Sequence, residues 1–349
     1  MSLEWMDNFS HYGTDVSNML DGLWAENNAS TIVDDPDGVS GGKVLTPNRM
    51  RRVFSGALTE VFVGCRVYFA SLPASNTQLF ILSNASNNAQ LNVRVSSTGL
   101  IVVNRSANNG TLTQIAATAS PYIVAGSWIF LEFRFVFGTS SDGSVELRVN
   151  ERERINETGV TTTSTTNPGT EWSQITFRSD SASDGGTGTA YQMKDVRVFN
   201  SGGSQLNDFV GDCAVTSIVP ESDVALNWTP STGSTGFDRI NETNPDDADY
   251  IQADDTPPDA YVCEMTDLDP DIVTVFALQS VVRALKTDSG TANLQVSMQT
   301  AGDNDAGADN AVSVNATCYF DISDLSPDTA AQWTPAEVDA MRLVIDRTA

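Results

Sequence analysis

Hydrophobic and polar positions alternate through most of this chain. Val61-Phe62-Val63-Gly64-Cys65-Arg66-Val67-Tyr68-Phe69 shows the pattern clearly, and it recurs in Gln78–Leu82, Leu91–Val95 and Leu100–Val103. A period of two sends successive side chains to opposite faces, which is the signature of a strand. The clearest pair is Trp128–Phe137 followed by Ser144–Asn150, with Ser141-Asp142-Gly143 between them as a hairpin loop. Glycine there supplies the positive φ that such loops need. The loops Asn84–Asn88 and Ser106–Gly110 are small and polar. Helical periodicity is confined to a weak stretch from Val16 to Leu23. Short strands at close spacing with turn signals predict a sandwich or barrel.

Ser201-Gly202-Gly203-Ser204 is the natural break. Beyond it the expected strands are Ile272–Gln279 with Ser280–Leu285, then Leu294–Met298, Ala316–Phe320 and a closing Arg342–Asp346. One short helix is expected over Trp333–Met341, near 335–341. Thr334 would be its N-cap, with Pro335 at N1 and Glu337 at N3. The two halves do not align as a repeat. The expected fold class is all-β, with two β-sandwich (jelly-roll-like) domains over 1–203 and 204–349.

Composition narrows the function. The 349 residues include 45 acidic and 19 basic ones, a net charge of −26. Such a surface repels nucleic acid and anionic lipid at long range, so no nucleic-acid partner is expected. Only Lys43, Lys194 and Lys286 are lysines; the arginine bias suits fixed ion pairs. Met1–Asp7 lacks a basic, apolar leader, and no signal peptide is expected. Trp128–Phe137 is too short, and with Glu132 and Arg134 too charged, to span a bilayer. No membrane insertion is expected, and synthesis and retention in a cytoplasm are, until any release by lysis.

Candidate chemistry is sparse. A single histidine, His11, speaks against catalytic triads and histidine-based metal sites. Cys65, Cys213, Cys263 and Cys318 form no CxxC motif and are expected as buried free thiols. A Cys213–Cys263 or Cys263–Cys318 bridge would need an oxidising medium. Glu146, Glu151, Glu153 and Glu157 alternate with Arg148, Arg152 and Arg154, as on a solvated strand edge. They lack the paired-carboxylate arrangement of glycosidases, so no catalytic residue is assigned. Calcium is the one ion the oxygen donors suggest. The candidates are Asp303, Asp305 and Asp309, the Asp246-Asp247-Asp249 cluster, and Asp180 with Asp184. The first run lacks the loop glycine at its sixth position and has Val314 at its twelfth, so a plain acidic turn competes with it. For sugars, Trp24 and Trp172 stand near polar loops as candidate stacking platforms, with core packing the competing role. Trp128 and Trp228 are expected in the core.

Two sets of motifs resemble known families. Gly126-Ser127-Trp128, Asp142-Gly143-Ser144, Leu147–Asn150 and the late Met193-Lys194-Asp195-Val196-Arg197-Val198-Phe199 follow the order of a concanavalin-like (laminin-G-like) jelly roll. Lys194 departs from it, since many relatives carry an acid there. The opening Trp5–Tyr12 is similar to the starts of phage proteins of this type and would pair with a late strand. The stretch Gly202–Tyr250 contains Asn207-Asp208-Phe209-Val210-Gly211-Asp212, Trp228–Ser234, Ile240-Asn241-Glu242 and Pro245–Tyr250. It resembles a block found in structural proteins of tailed bacteriophages. The resemblance implies a non-enzymatic virion protein that associates with other virion proteins. A tail fibre, spike or tip component is the first reading. It would be a symmetric homo-oligomer, a trimer favoured, with host-surface carbohydrate as partner. A capsid-surface decoration protein is the second reading. A secreted lectin or polysaccharide-degrading enzyme is the third, and the missing leader and carboxylate motif count against it.

Overall fold

The alternating runs become strands in the computed structural model, which describes residues 3–13, 22–38, 42–106, 111–179, 188–242, 245–253, 259–301 and 303–349. Among the described residues the first half carries β1 (Leu3–Asp7), β2 (Glu26–Asn28), β3 (Thr31–Asp34), β4 (Lys43–Thr46), β5 (Arg49–Leu58), β6 (Glu60–Tyr68), β7 (Thr77–Ser83), β8 (Ala89–Val95), β9 (Ile101–Ser106), β10 (Leu112–Ala117), β11 (Trp128–Val136), β12 (Gly143–Val149), β13 (Arg152–Val160), β14 (Trp172–Arg178) and β15 (Gln192–Phe199). They form two sheets. One runs β13-β12-β11-β6-β15-β4-β3 with β1 added on β15, and the other runs β10-β9-β8-β7-β14-β5-β2. The first strand does pair with a late one, Trp5 opposite Val198. The inward-facing residues of both sheets interlock in one core. Phe80 meets Phe133 edge-on at 5.2 Å, and Phe135 meets Trp172 at 6.2 Å. This is a two-sheet sandwich, and removing its apolar faces from water is the main force holding it.

The second half carries β16 (Pro220–Leu226), β17 (Thr229–Pro230), β18 (Ile251–Gln252), β19 (Asp259–Met265), β20 (Leu278–Ala284), β21 (Asn293–Gln299), β22 (Asn304–Ala311), β23 (Thr317–Ser323) and β24 (Arg342–Arg347). A five-stranded sheet runs β16-β19-β24-β21-β22, beside the ribbons β17-β18 and β20-β23. The β20-β23 ribbon is apolar on both faces. Val282 and Tyr319, opposite each other, pack on the second-half core, while Val281 and Phe320, one step along, pack on the first sandwich. The expected strand Ile272–Gln279 does not form; only Leu278 onward is paired. Val275 packs into the second-half core and Phe276 into the cluster between the halves, so this segment serves as packing rather than as ladder.

The helix α1 (Pro335–Asp339) forms with a full capping box. Thr334 Oγ1 accepts the Glu337 N–H at 3.2 Å, and the Glu337 carboxylate accepts the Thr334 N–H at 2.8 Å. It is shorter than Trp333–Met341 because Trp333 is buried ahead of the cap and Arg342 already belongs to β24. Of the weakly helical stretch Val16–Leu23, residues 16–21 lie outside the described residues.

Candidate ligand-binding site

The two tryptophans singled out as platforms are core residues. Trp24 is 2% exposed and Trp172 is 0% exposed. Trp24 packs edge-on against Trp5 at 4.5 Å and Trp172 against Phe135 and Phe137, so neither offers a stacking face. Polar neighbours in sequence do not decide which way a ring turns: Glu26-Asn27-Asn28 form β2, while Trp24 turns inward ahead of it.

Asp303, Asp305 and Asp309 do not converge. Asp303 precedes β22, and the other two lie on it, at the edge of the five-stranded sheet. A bulge places Asp305 opposite Met298 and Asp309 opposite Gln295. Met298 and Gln295 are three residues apart on β21, so the two carboxylates face opposite sides of the sheet. Asp309 instead accepts from Asn293 Nδ2 (2.8 Å) and Thr348 Oγ1 (2.6 Å). Burial, with Asp305 nearby, pushes the Asp321 carboxyl up. The Asp246–Asp249 run is a clasp. Asp247 holds Arg283 through two 2.9 Å contacts, which keep its carboxyl below the ordinary range, and Asp249 holds Arg239 at 3.0 Å. Asp180 and Asp184 lie outside the described residues. Among the described residues no three potential ligands gather as a metal site.

The Asn207–Asp212 motif is a strap lying on the outer face of the first sandwich. Phe209 sets its ring edge on Phe62 at 5.5 Å, and the Arg148 guanidinium lies 3.9 Å from its centroid. The fully buried Glu132 carboxylate accepts the N–H groups of Val210 (3.0 Å) and Gly211 (3.2 Å). Arg197 donates to the carbonyls of Gly211 (2.5 Å) and Cys213 (3.2 Å) and lies 3.4 Å from Glu132. Gly64 stands opposite both Glu132 and Arg197, and a Cβ there would sit 2.7 Å from the guanidinium. The missing side chain is the gap through which Arg197 crosses a strand to reach Glu132. Burial raises the Glu132 carboxyl, the Arg197 charge and the two N–H donors notwithstanding. Asp195 accepts the Val215 N–H at 2.9 Å and an Arg66 contact at 2.7 Å. Lys194, the departure from the family pattern, pairs with Asp35 at 2.5 Å and lies over Trp128.

The other sheet of the sandwich carries a different surface. In β8, Leu91, Val93 and Val95 face the core, so Gln90, Asn92 and Arg94 face outward. Cross-strand partners share a face, and the registers join one outward position from each strand into a row. Glu26 is opposite Arg51, Arg51 opposite Thr176, Thr176 opposite Ile81, Ile81 opposite Asn92, Asn92 opposite Asn104, and Asn104 opposite Gln114. Six inter-strand steps of ~4.8 Å give a row about 29 Å long. Its ends are accessible at Arg51 and Gln114, and its middle is closed to solvent. Asn92 is 2% exposed, and its Oδ1 has no hydrogen-bond partner. A buried amide oxygen left unpaired costs on the order of 1–3 kcal/mol. Glu26 lies 3.1 Å from Arg49 and 3.4 Å from Arg51, one carboxylate between two guanidiniums. Gln90 and Gln174 fix the loops at one end: Gln90 Oε1 accepts from Thr163 and Ser164, and Gln174 Nε2 donates to the Asn84 carbonyl. The row unites segments from residue 26 to residue 176, so no local motif announced it. The one available signal was the polar alternation of Gln90-Leu91-Asn92-Val93-Arg94.

His11 lies away from this row. Its Nδ1 is 3.9 Å from Asp7, whose carboxylate accepts the Phe9 N–H and the Tyr12 hydroxyl, both at 2.7 Å. Burial pushes the Asp7 carboxyl up. The four cysteines are free thiols; burial pushes those of Cys65 and Cys263 up to about 12.

The chain is thus an all-β protein whose first half is a jelly-roll-like two-sheet sandwich. No protein-family model matches it, and no curated protein does. Among solved structures it is similar to an endo-β-1,4-glucuronan lyase from the fungus Trichoderma reesei, with 13% identity over 56% of this chain and 95% of that one and a TM-score of 0.39. The carbohydrate-binding module CBM66 from Bacillus subtilis matches at 9% identity over 51% and 94%, with a TM-score of 0.32. A galectin from Caenorhabditis elegans matches at 14% over 44% and 92%, with a TM-score of 0.31. At these scores the description of the fold rests on the chain's own sheets.

Proposed function

We propose that this is a non-enzymatic structural protein that contacts saccharide through the outward row of its seven-stranded sheet. The observation that carries the reading is the polar outward row of that sheet, broken by Ile81, whose solvent-open ends present Arg51 and Gln114. Sugars present many hydroxyls, each both donor and acceptor, and such a row can pair with them without leaving buried groups unmatched. Glycan cleavage would need an acid and a base. On the strands of this sheet the one carboxylate is Glu26, already held between two arginines. As the Gly202–Tyr250 resemblance implies, the protein would serve on a tailed-phage particle, first as a tail component and second as a capsid decoration protein.

A glycan array with the full chain tests the saccharide reading, comparing wild type with Arg51→Gln and Gln114→Ala at the solvent-open ends of the row. Binding that both substitutions weaken supports it. Absence of any glycan signal, or binding that both variants leave intact, overturns it. Mass spectrometry of separated heads and tails tests the location. A few to a few dozen copies with tails support the first reading, hundreds with heads the second, and absence from both removes the virion role.

A further inference from the structure

Five of the six tryptophans are buried, none of them more than 9% exposed. Trp128, expected in the core, is the exception. Ile129, Leu131, Phe133 and Phe135 of β11 face the core, so Trp128 at the head of that strand faces outward, and it is part-exposed. Its Nε1 is closed to solvent, so what it offers outside is ring carbon.

The register builds a platform around this ring. Trp128 stands opposite Tyr68 of β6, and Tyr68 opposite Gln192 of β15; all three are part-exposed. The two rings lie 5.5 Å apart, tilted by 46°. Lys194, the next outward position on β15, fixes the indole. Its ammonium is 4.4 Å from the ring centroid and is anchored on the buried Asp35. Apolar side chains continue the surface at this end of the sandwich. The Gly126 N–H donates to the Phe69 carbonyl at 2.8 Å, which holds the loop with Val124, 55% exposed, beside the end of β6. Leu72, also exposed, lies beside Gly99, against which the Ile123 carbonyl packs. The strap's Asp212 pairs with Arg66, one outward position short of Tyr68.

We infer that this platform is a second saccharide site. It takes one unit of a neutral pyranose glycan, with the sugar's C–H face on Trp128 and Tyr68 and its hydroxyls toward Gln192. A sugar ring is apolar on its face and polar at its rim, and ring carbon bordered by an amide matches both. The ligand is neutral because the charges beside the platform are already paired. Lys194 is held by Asp35, and Arg66 by Asp195 at 2.7 Å and Asp212 at 2.8 Å. A second copy of the chain fits less well. A stable protein interface buries about 800 Å² on each partner, and two part-exposed rings with Val124 and Leu72 cannot supply that. The platform shares its ligand class with the saccharide reading above but no residue with the seven-stranded sheet, so each can fail alone.

Acrylamide quenching of tryptophan fluorescence in the full chain is the test, with maltohexaose, cellohexaose and β-1,4-galactohexaose as probes. One accessible class of tryptophan should be quenched, and Trp128→Phe should remove it. At least one probe should protect that class saturably. Trp128→Ala and Tyr68→Ala should each weaken binding of that probe about ten-fold, the worth of taking ~50 Å² of apolar surface out of water. Both side chains are part-exposed, and a matching melting temperature establishes that a variant is folded. Arg51→Gln should leave the protection unchanged. Quenching that persists in full in Trp128→Phe, protection by none of the probes, or binding that both alanine variants leave intact overturns the platform. If array glycans bind, Arg51→Gln abolishes their binding and Trp128 stays quenchable throughout, the row on the other sheet stands and the platform alone falls. If Trp128→Ala abolishes all glycan binding and Arg51→Gln none, the platform stands and the row falls. Self-association in sedimentation velocity that Trp128→Ala breaks up, with no probe bound, would assign the rings to a second copy and also overturn the inference.

Discussion

Replacing Phe209 by alanine tests how the strap is held. The ring is half-buried, set edge-on against Phe62 at 5.5 Å, with the Arg148 guanidinium 3.9 Å from its centroid. Truncating a fully buried phenylalanine costs about 3–5 kcal/mol, so roughly half of that applies here. The edge-on and cation–π contacts, about 0.5–1.5 and 0.5–1 kcal/mol, partly overlap with this burial. Together they give ~2.5 kcal/mol. The loss falls on the strap, because the sheet beneath keeps its own Phe62–Phe199 stack at 4.8 Å. At 1.4 kcal/mol per factor of ten, the strap should open about 60-fold more often. Native-state hydrogen exchange reads this at the amides of Val210 and Gly211, which donate to Glu132, and of Val215, which donates to Asp195. All three should speed up together while the core amides of β6 and β11 keep their rates. Less than a three-fold change at the strap amides would refute the reasoning. The Glu132 and Arg197 contacts would then hold the strap without the ring.

Three further predictions follow from the same geometry. Gly64→Ala should displace the Arg197 guanidinium and raise strap exchange, whereas Gly56→Ala, where no atom lies near the added Cβ and the φ is ordinary, should leave the strap unchanged. Thr334→Ala removes a complete capping box and should lower stability by about 1 kcal/mol in denaturant melts; no change would mean that α1 is held by packing alone. Burial raises the carboxyls of Asp7, Glu132, Asp195 and Asp321 above their ordinary 3.8 or 4.5, so the native state keeps these protons to higher pH than the unfolded chain does. The stability they contribute is present at low pH and lost as pH rises through the raised values, so the melting temperature should be higher at pH 5 than at pH 8. Asp35, Asp247 and Glu337 titrate below their ordinary values, and their contribution disappears under acid, so the curve should turn down below about pH 4. A melting temperature that climbs steadily to pH 8 would contradict the buried-carboxylate account.

Where alternation is strict and the turn is local, the sequence already showed the structure. The pair β11-β12 and the strand β6 lie within a residue or two of the expected spans, because a period of two specified each; Gly143, expected in the hairpin loop with a positive φ, is instead the first residue of β12 and has none. The capping box was readable for the same reason, since its partners are three residues apart. The run Ile272–Gln279 misled because its apolar residues serve two different bodies rather than one face. The acidic run Asp303–Asp309 read as a turn because a strand at a sheet edge can be polar on both sides. Its bulge, which separates the carboxylates, is visible only in the register. The strap motif stood out as a unit, but its anchors are Phe62, Glu132 and Arg197, far away in sequence. The candidate row was the least legible feature. It draws one residue from each of seven strands, and neither β5 nor β14 was evident beforehand. In β5, Arg52 interrupts the apolar alternation of Met50 and Phe54, because that arginine is buried under an aromatic ring of the second half.

The claim at the centre of this account is that a glycan meets the solvent-open ends of the outward row. Its ends are on β2 and β10, the two edge strands of the sheet. Hydrogen exchange should be measured with and without the strongest-binding glycan from the array. Slowed exchange at both edges at once, around Glu26 and around Gln114, with β20-β24 unchanged, is the predicted result. Protection confined to the strap-bearing sheet or to the second half would contradict it.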